Sequence, residues 1–235
     1  MATLIVALDV PTTANALALV DRLGDRVDFY KIGAPLFTHD GPGILAELRD
    51  RGKRIFLDLK FHDIPNTVAR SVEAAAKAGV DLLTLHTAGG SAMLRAARQA
   101  VGDDGPRLLA VTILTSLSAA GVEEVWAKEL RSLREEVARL AGLAADSGAH
   151  GVVASAQEAE ALKRRHGAEF LVVTPGIRPP GAAHEDHARP ATPAEAASAG
   201  ADYIVVGRPV IKAEDPVGVV DDILRDLNQV SGSVR

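Results

Sequence analysis

Runs of Val, Ile and Leu recur along the chain and are separated by stretches with helical spacing. There are eight such runs, and most of them have little polar alternation, which is typical of parallel strands that are covered on both faces. We therefore predict a β-strand in each of them. The runs span residues 4–8, 27–32, 54–59, 81–85, 107–114, 150–154, 170–174 and 202–206.

The segments between the runs carry helix start and stop signals. Residues 192–195, Thr-Pro-Ala-Glu, combine an N-cap residue, a first-position proline and a third-position glutamate. Gly52, Gly79 and Gly200 stand where a helix would end before the next strand. Eight β/α units of this kind predict an α/β protein with the TIM (β/α)₈ barrel fold. The doubly wound alternative needs a glycine-rich turn after the first strand, and residues 10–13 contain no glycine.

The composition fits one soluble globular domain. Of the 235 residues, 47% are hydrophobic and 24% are charged, and no Ser-, Gly- or Pro-rich linker divides the chain. We predict a single barrel domain over residues 1–230 and a disordered tail over 231–235. The N-terminal residues 1–9 lack a basic region and are too short to span a membrane, so a cytoplasmic protein is expected.

Two further compositional features exclude classes of function. The chain contains no cysteine, which excludes disulfides, thiolate catalysis and cysteine-ligated metals. The formal net charge is −5 and there is no long basic run, so general nucleic-acid binding is not expected.

Charged residues collect at the ends of the first three predicted strands. Asp9 ends the first and Lys31 the second, while the third supplies Asp58 and Lys60 on one face, because alternate strand residues share a face. Asp63 follows three residues later. The active site of a TIM barrel lies at these strand ends, and charges of alternating sign suit a site that acts on charge. The alternative is a surface ion pair, worth about 0–1 kcal/mol.

The loops after the seventh and eighth strands each pair a glycine with an arginine. Gly176 precedes Arg178, and Gly207 precedes Arg208. These loops form the usual phosphate site of the fold, where glycine lets backbone N–H groups approach a ligand and arginine binds an oxyanion. The pattern predicts a phosphorylated substrate whose reacting end lies over the charged cluster. Turn glycines and surface arginines are the alternative.

Residues 58–67, Asp-Leu-Lys-Phe-His-Asp-Ile-Pro-Asn-Thr, resemble the hallmark segment of the orotidine 5′-phosphate decarboxylase family. Related phosphosugar barrels share the Asp-x-Lys-x-x-Asp core but not the Ile-Pro-Asn-Thr continuation. The resemblance implies a carboxy-lyase that converts orotidine 5′-monophosphate to uridine 5′-monophosphate and CO₂, the last step of de novo pyrimidine synthesis, without metal or organic cofactor. Further matches occur in the family's order at residues 8–9, 31–33, 114–116, 174–178 and 206–209.

The same resemblance implies catalytic roles. Lys31, Asp58 and Lys60 are expected to form an alternating charge network, completed in a homodimer by Asp63 of the partner subunit. Lys60 is expected to stabilise the carbanion at C6 of the pyrimidine and to protonate it.

The resemblance also implies a set of substrate contacts. Asp9 and Lys31, with Thr67 of the partner subunit, would hold the ribose, and Thr115 would lie near the pyrimidine. The phosphate would be bound by the two arginines and the glycine of the seventh and eighth loops. The full set of expected contacts is Asp9, Lys31, Ile64, Thr67, Thr115, Pro175, Arg178, His187, Gly207 and Arg208.

One position departs from the family pattern. Nine residues after the phosphate-binding Arg178, the family usually has a lid glutamine that bridges phosphate and base, and this chain has His187 there. The surrounding loop, residues 179–191, is long and polar, as lids often are, although a tolerated insertion would look the same. An imidazole can donate a hydrogen bond to phosphate, so either His187 or a neighbour would replace the glutamine.

Two other functions compete with this interpretation. One is a metal-dependent phosphosugar decarboxylase or aldolase, with Asp58, His62, Asp63 and His86 as ligands. A lysine among those carboxylates opposes a cation there. The other is a non-catalytic nucleotide-binding barrel, for which a buried lysine between two carboxylates is not required.

Overall fold

The computed structural model describes residues 2–102, 104–179 and 191–232 of the chain. Within these residues, eight parallel strands pair each with the next, and β8 pairs with β1 to close a barrel. The predicted TIM barrel is therefore confirmed. The strands are β1 (Thr3–Ala7), β2 (Phe29–Gly33), β3 (Arg54–Phe61), β4 (Leu82–His86), β5 (Arg107–Val111), β6 (Gly151–Val153), β7 (Leu171–Thr174) and β8 (Tyr203–Val206).

Helices follow the strands and cover the outside of the barrel. They are α1 (Thr13–Leu23), α2 (Ala34–Asp40), α3 (Gly43–Asp50), α4 (Pro65–Lys77), α5 (Gly90–Val101), α6 (Ala119–Trp126), α7 (Leu133–Asp146), α8 (Ala156–His166), α9 (Pro193–Ser198), α10 (Arg208–Ile211) and α11 (Pro216–Gly232). None of these described helices is long and apolar enough to cross a membrane.

The predicted helix start before α9 is confirmed at the level of its hydrogen bonds. Thr192 N donates to the Glu195 carboxylate at 2.8 Å, and Glu195 N donates to Thr192 Oγ1 at 3.2 Å, which forms a capping box. At the other end of the chain, α11 continues through Gly232, two residues into the predicted tail. Residues 233–235 lie outside the described part of the chain.

Two layers of apolar side chains form the core because each strand is covered on both faces. In β2, Phe29 points into the barrel and Tyr30 points outward to the helices, and both are fully buried. This arrangement explains the nearly continuous apolar runs in the sequence. The inner layer is made of Ile5, Ala7, Phe29, Phe56, Leu82, Leu109, Val173 and Val205.

The ladder between β3 and β4 contains a bulge that affects the site. Leu57 pairs with Leu83, but the next aligned pair is Phe61 with Leu85, so β3 carries extra residues between them. Lys60 lies in this bulge with φ of 50°, a left-handed conformation that costs a non-glycine residue roughly 1–2 kcal/mol. Regular alternation along β3 therefore ends before this lysine.

Candidate active site

A cavity of about 240 Å³ opens at the carboxyl ends of the strands. Its floor is apolar, since Phe56, Val173 and Val205 belong to the inner layer of the barrel. Ion pairs above such a floor are less screened than in bulk water. Nine residues predicted as site residues line it together: Asp9, Lys31, Asp58, Lys60, Thr115, Pro175, Arg178, Gly207 and Arg208.

Charges alternate in sign along one side of the cavity. Lys31 Nζ lies 3.0 Å from Asp9 Oδ1 and 3.7 Å from Asp58 Oδ2. Lys60 Nζ lies 2.9 Å from Asp58 Oδ1. Asp58 is thus held between two ammonium groups, with 15% of its side chain exposed. Burying a charge costs several kcal/mol unless it is paired, and here each of the four charges faces one of opposite sign.

Gly33 leaves room for this network. A Cβ atom on Gly33 would lie 3.1 Å from both Asp9 Oδ1 and Lys31 Nζ, which is too close for those atoms to keep their positions. A Cβ atom on Gly207 would lie 3.5 Å from Asp9 Oδ2, an ordinary van der Waals distance, so the network does not require glycine there. Gly33 is two residues after Lys31 on the same strand, so the alternation of β2 could have pointed to it, although it was not among the predicted site residues.

Thr84 is a second residue that the sequence did not reveal. Its hydroxyl donates to Asp58 Oδ1 at 3.0 Å and accepts from Lys60 N at 2.9 Å. Thr84 is fully buried. A signal was present, because Thr84 is two residues after the inward-facing Leu82, but its contacts depend on the bulge in the neighbouring strand.

The loops after β7 and β8 supply the cationic end of the cavity. Arg178 is buried and its guanidinium donates to the Ile177 carbonyl at 2.9 Å. Arg208 begins α10, directly after Gly207. In the part of these loops that the structure describes, two arginines and no carboxylate line the cavity. Such an arrangement can bind a phosphate through charge-assisted hydrogen bonds.

Three of the predicted site residues lie outside this cavity. Asp63, Ile64 and Thr67 are exposed at the start of α4, and Ile64 is 66% exposed. Asp63 Oδ1 accepts a hydrogen bond from Ile64 N at 2.6 Å. None of the three lines the cavity of its own chain. His187 lies outside the described residues.

The histidines considered as metal ligands pack against each other. The rings of His62 and His86 stack with centroids 5.3 Å apart. Burial, with further contributions from His62 and Lys60, lowers the pKa of His86. Among the described residues, no group of three or more His, Asp or Glu side chains is placed to hold a metal ion.

The chain is similar to one family along nearly its whole length. Residues 2–223 match the model of the orotidine 5′-phosphate decarboxylase / HUMPS family. The orotidine 5′-phosphate decarboxylase of Moorella thermoacetica is 46% identical over 235 residues, which cover 97% of this chain and 92% of that relative. The one of Halorhodospira halophila is 50% identical over 226 residues, or 95% of each chain.

Solved structures agree with this similarity. The crystal structure of orotidine 5′-phosphate decarboxylase from Lactobacillus acidophilus has a TM-score of 0.86 at 39% identity, covering 97% of this chain and 100% of that one. The corresponding structure from Pyrococcus horikoshii has a TM-score of 0.78 at 23% identity, which supports the fold alone.

Proposed function

Because the chain belongs to the orotidine 5′-phosphate decarboxylase / HUMPS family, we infer that it decarboxylates orotidine 5′-monophosphate to uridine 5′-monophosphate and CO₂, the last step of de novo pyrimidine nucleotide synthesis. The observation that carries this inference is the alternating network of Asp9, Lys31, Asp58 and Lys60 in a cavity that also presents two arginines. Relatives that are 46–50% identical over almost the full chain are named orotidine 5′-phosphate decarboxylase.

The geometry supports one orientation of the substrate. The phosphate would be bound by Arg178 and Arg208, with the backbone of Gly207 beside it. The ribose would contact Asp9 and Lys31, which already form an ion pair at 3.0 Å. The pyrimidine would then lie over the charge network, with Thr115 and Pro175 at the cavity wall. His187 or a neighbouring residue stays the predicted lid contact to the phosphate.

Lys60 is the residue we propose for the chemical step. Breaking the bond between C6 and the carboxylate leaves an electron pair in an sp² orbital that is orthogonal to the π system of the ring, so no conventional electron sink exists. The Lys60 ammonium would stabilise this pair and then transfer a proton to C6. Solvent would reprotonate the amine. Asp58 of the same chain, together with Asp63 of the partner subunit, would keep Lys60 charged and in place.

One ion pair cannot supply the whole acceleration. It is worth about 4 kcal/mol at about 4 Å and an effective dielectric constant of about 20, whereas enzymes lower barriers by up to about 23 kcal/mol. We propose that the rest comes from phosphate and ribose contacts, whose binding energy holds the base against the charge network. Arg178 and Arg208, which line the cavity, support this proposal.

We also propose a homodimer in which Asp63 and Thr67 reach the site of the partner subunit. Residues 62–67 form an exposed run directly after β3, and the exposed Ile64 would be covered by such a contact. A cytoplasmic location is proposed because a multiply charged nucleotide does not cross membranes unaided and is consumed where it is made.

A direct assay tests the function. The purified chain is incubated with orotidine 5′-monophosphate, its consumption is followed by absorbance, and uridine 5′-monophosphate and CO₂ are quantified. We expect equal amounts of both products, before and after exhaustive chelation. Activity that chelation removes and a divalent metal restores would favour the metal-dependent alternative. Nucleotide binding without turnover would favour the non-catalytic barrel.

A further inference from the structure

Thr84 faces the bulge that carries Asp58 and Lys60. Its two neighbours on β4 pair with the residues that flank the bulge, so Thr84 alone lies opposite the displaced segment. Bulges commonly re-aim a side chain next to an active site. The flanking pairs are Leu57 with Leu83 and Phe61 with Leu85.

Packing does not explain a hydroxyl at this position. Leu82, the preceding inward residue of β4, belongs to the apolar inner layer of the barrel. Thr84 is fully buried, and valine has nearly the same shape and volume. A buried hydroxyl is costly unless it is hydrogen-bonded, so the role of this one lies in its polar contacts.

Both hydrogen bonds of this hydroxyl have a fixed direction. The backbone N–H of Lys60 can only donate, so Thr84 Oγ1 accepts it at 2.9 Å. The Asp58 carboxylate can only accept, so the one hydroxyl proton points to Asp58 Oδ1 at 3.0 Å. That same oxygen accepts from Lys60 Nζ at 2.9 Å. Three hydrogen bonds thus link Asp58, Thr84 and Lys60, and the covalent chain of Lys60 between its two nitrogens closes the ring.

We propose that Thr84 is a positioning residue for the decarboxylation. It binds the amide that the bulge removes from the β3–β4 ladder, which holds Lys60 in its left-handed conformation, with φ of 50°. It also orients the Asp58 oxygen that receives the ammonium. The proposal rests on the proposed function, because it places the proton donor at C6. Thr84 acts through Lys60 and Asp58 and does not line the cavity.

One matched pair of variants isolates the hydroxyl. Thr84→Val keeps the shape and removes the oxygen, whereas Thr84→Ser keeps the oxygen and loses a methyl group. We expect Thr84→Val to lower kcat by about 10- to 100-fold with KM within about threefold, since phosphate binding is elsewhere. Thr84→Ser should stay within about threefold of the parent. If Thr84→Val does not fold, Thr84→Ala against Thr84→Ser makes the same comparison.

Thr112→Val is the control for a threonine-to-valine change in the barrel. Thr112 is also buried, but its hydroxyl donates to the Val153 carbonyl at 3.4 Å, away from the network. It should keep the parent kcat. A parent kcat in Thr84→Val, or equal losses in Thr84→Val and Thr84→Ser, would overturn the proposal.

A crystal structure of Thr84→Val gives a readout that does not depend on turnover. We expect Lys60 to leave the left-handed region and its Nζ to move away from Asp58. An unchanged Lys60 would overturn the positioning role. An inactive parent enzyme would instead overturn the proposed function, so the two failures are distinguishable.

Discussion

Lys60 donates a hydrogen bond from Nζ to Asp58 Oδ1 across 2.9 Å, although only Leu59 separates the two residues along β3. On a regular strand, such neighbours would stand side by side and point away from the sheet. The bulge and the φ of 50° at Lys60 replace that arrangement. The position of the ammonium is therefore set by the backbone as well as by side-chain packing.

Lys60→Ala should abolish most of the turnover while leaving the fold intact. The change removes both the charge beside C6 and the proposed proton donor, so we expect kcat to fall by at least about 10⁴-fold. Absorbance assays of orotidine 5′-monophosphate give the rate, and circular dichroism reports the fold. Lys77→Ala, at the exposed end of α4, is the matched control and should keep the parent rate. Near-native decarboxylation by Lys60→Ala would remove this lysine from the mechanism.

Arg208→Ala should selectively weaken binding of the phosphorylated substrate. Loss of a charge-assisted hydrogen bond of about 1.5–3 kcal/mol should raise KM for orotidine 5′-monophosphate by roughly 10- to 100-fold. The nucleoside orotidine has no phosphate, so its slow turnover should be unaffected. Steady-state kinetics with both compounds measure the difference, and Arg225→Ala on α11 serves as the control. An equal loss with orotidine would place the phosphate elsewhere.

The apolar pattern predicted the barrel but not every strand end. The fifth run, residues 107–114, continues for three residues beyond the observed end of β5 at Val111. Ile113 and Leu114 belong to the cavity wall and not to the sheet. An apolar run records burial or contact, and it does not distinguish a strand from an apolar loop. β5 ends where the chain leaves the sheet to line the cavity, and the apolar pattern does not reveal that point.

The sequence predicted those site residues that lie at the carboxyl ends of consecutive strands. Asp9, Lys31 and Asp58 follow from consecutive strand ends, because those ends meet at one rim of the barrel. Thr84 and Gly33 did not, since their importance depends on which atoms lie opposite a bulge or beside an ion pair. The proposed roles of Asp63 and Thr67 came from the family resemblance, because the geometry of one chain contains no partner.

His150 should make the stability of the protein depend on pH. Leu108 N donates to His150 Nδ1 at 2.8 Å, which requires a neutral ring. Burial, with Arg98 and Arg107, lowers the pKa of His150 to about 4, against about 6.5 in the unfolded chain. Between these values the unfolded chain binds more protons, so the free energy of unfolding falls as the pH is lowered from 6.5 to 4.

Urea unfolding at pH 7 and pH 5 checks this contribution. His150→Asn cannot titrate, so it should lose less stability between the two pH values than the parent does. Because the ring is partly exposed, we expect a difference of about 1 kcal/mol. Equal losses in parent and variant would show that His150 is not the group responsible.

Mixing two inactive variants should restore activity if Asp63 acts across the subunit interface. In a homodimer of either Lys60→Ala or Asp63→Ala, both active sites lack a required residue and are inactive. In a mixed dimer, one site carries both changes and the other carries neither, so random pairing makes about one quarter of all sites complete. Native mass spectrometry confirms the mixed dimer, and decarboxylation of orotidine 5′-monophosphate measures the recovery. Absence of recovery in confirmed mixed dimers would contradict the contribution in trans.

In the matched control, the separate variants Lys60→Ala and Asp58→Ala are mixed. Both residues line the same cavity of one chain, with Nζ and Oδ1 2.9 Å apart. Each site of their mixed dimer therefore lacks one of the two, and no activity should return. Recovery in this control would mean that subunit exchange repairs something other than the site, such as folding. If activity returns when Lys60→Ala is mixed with Asp63→Ala but not when it is mixed with Asp58→Ala, the Asp63 carboxylate is supplied by the neighbouring subunit.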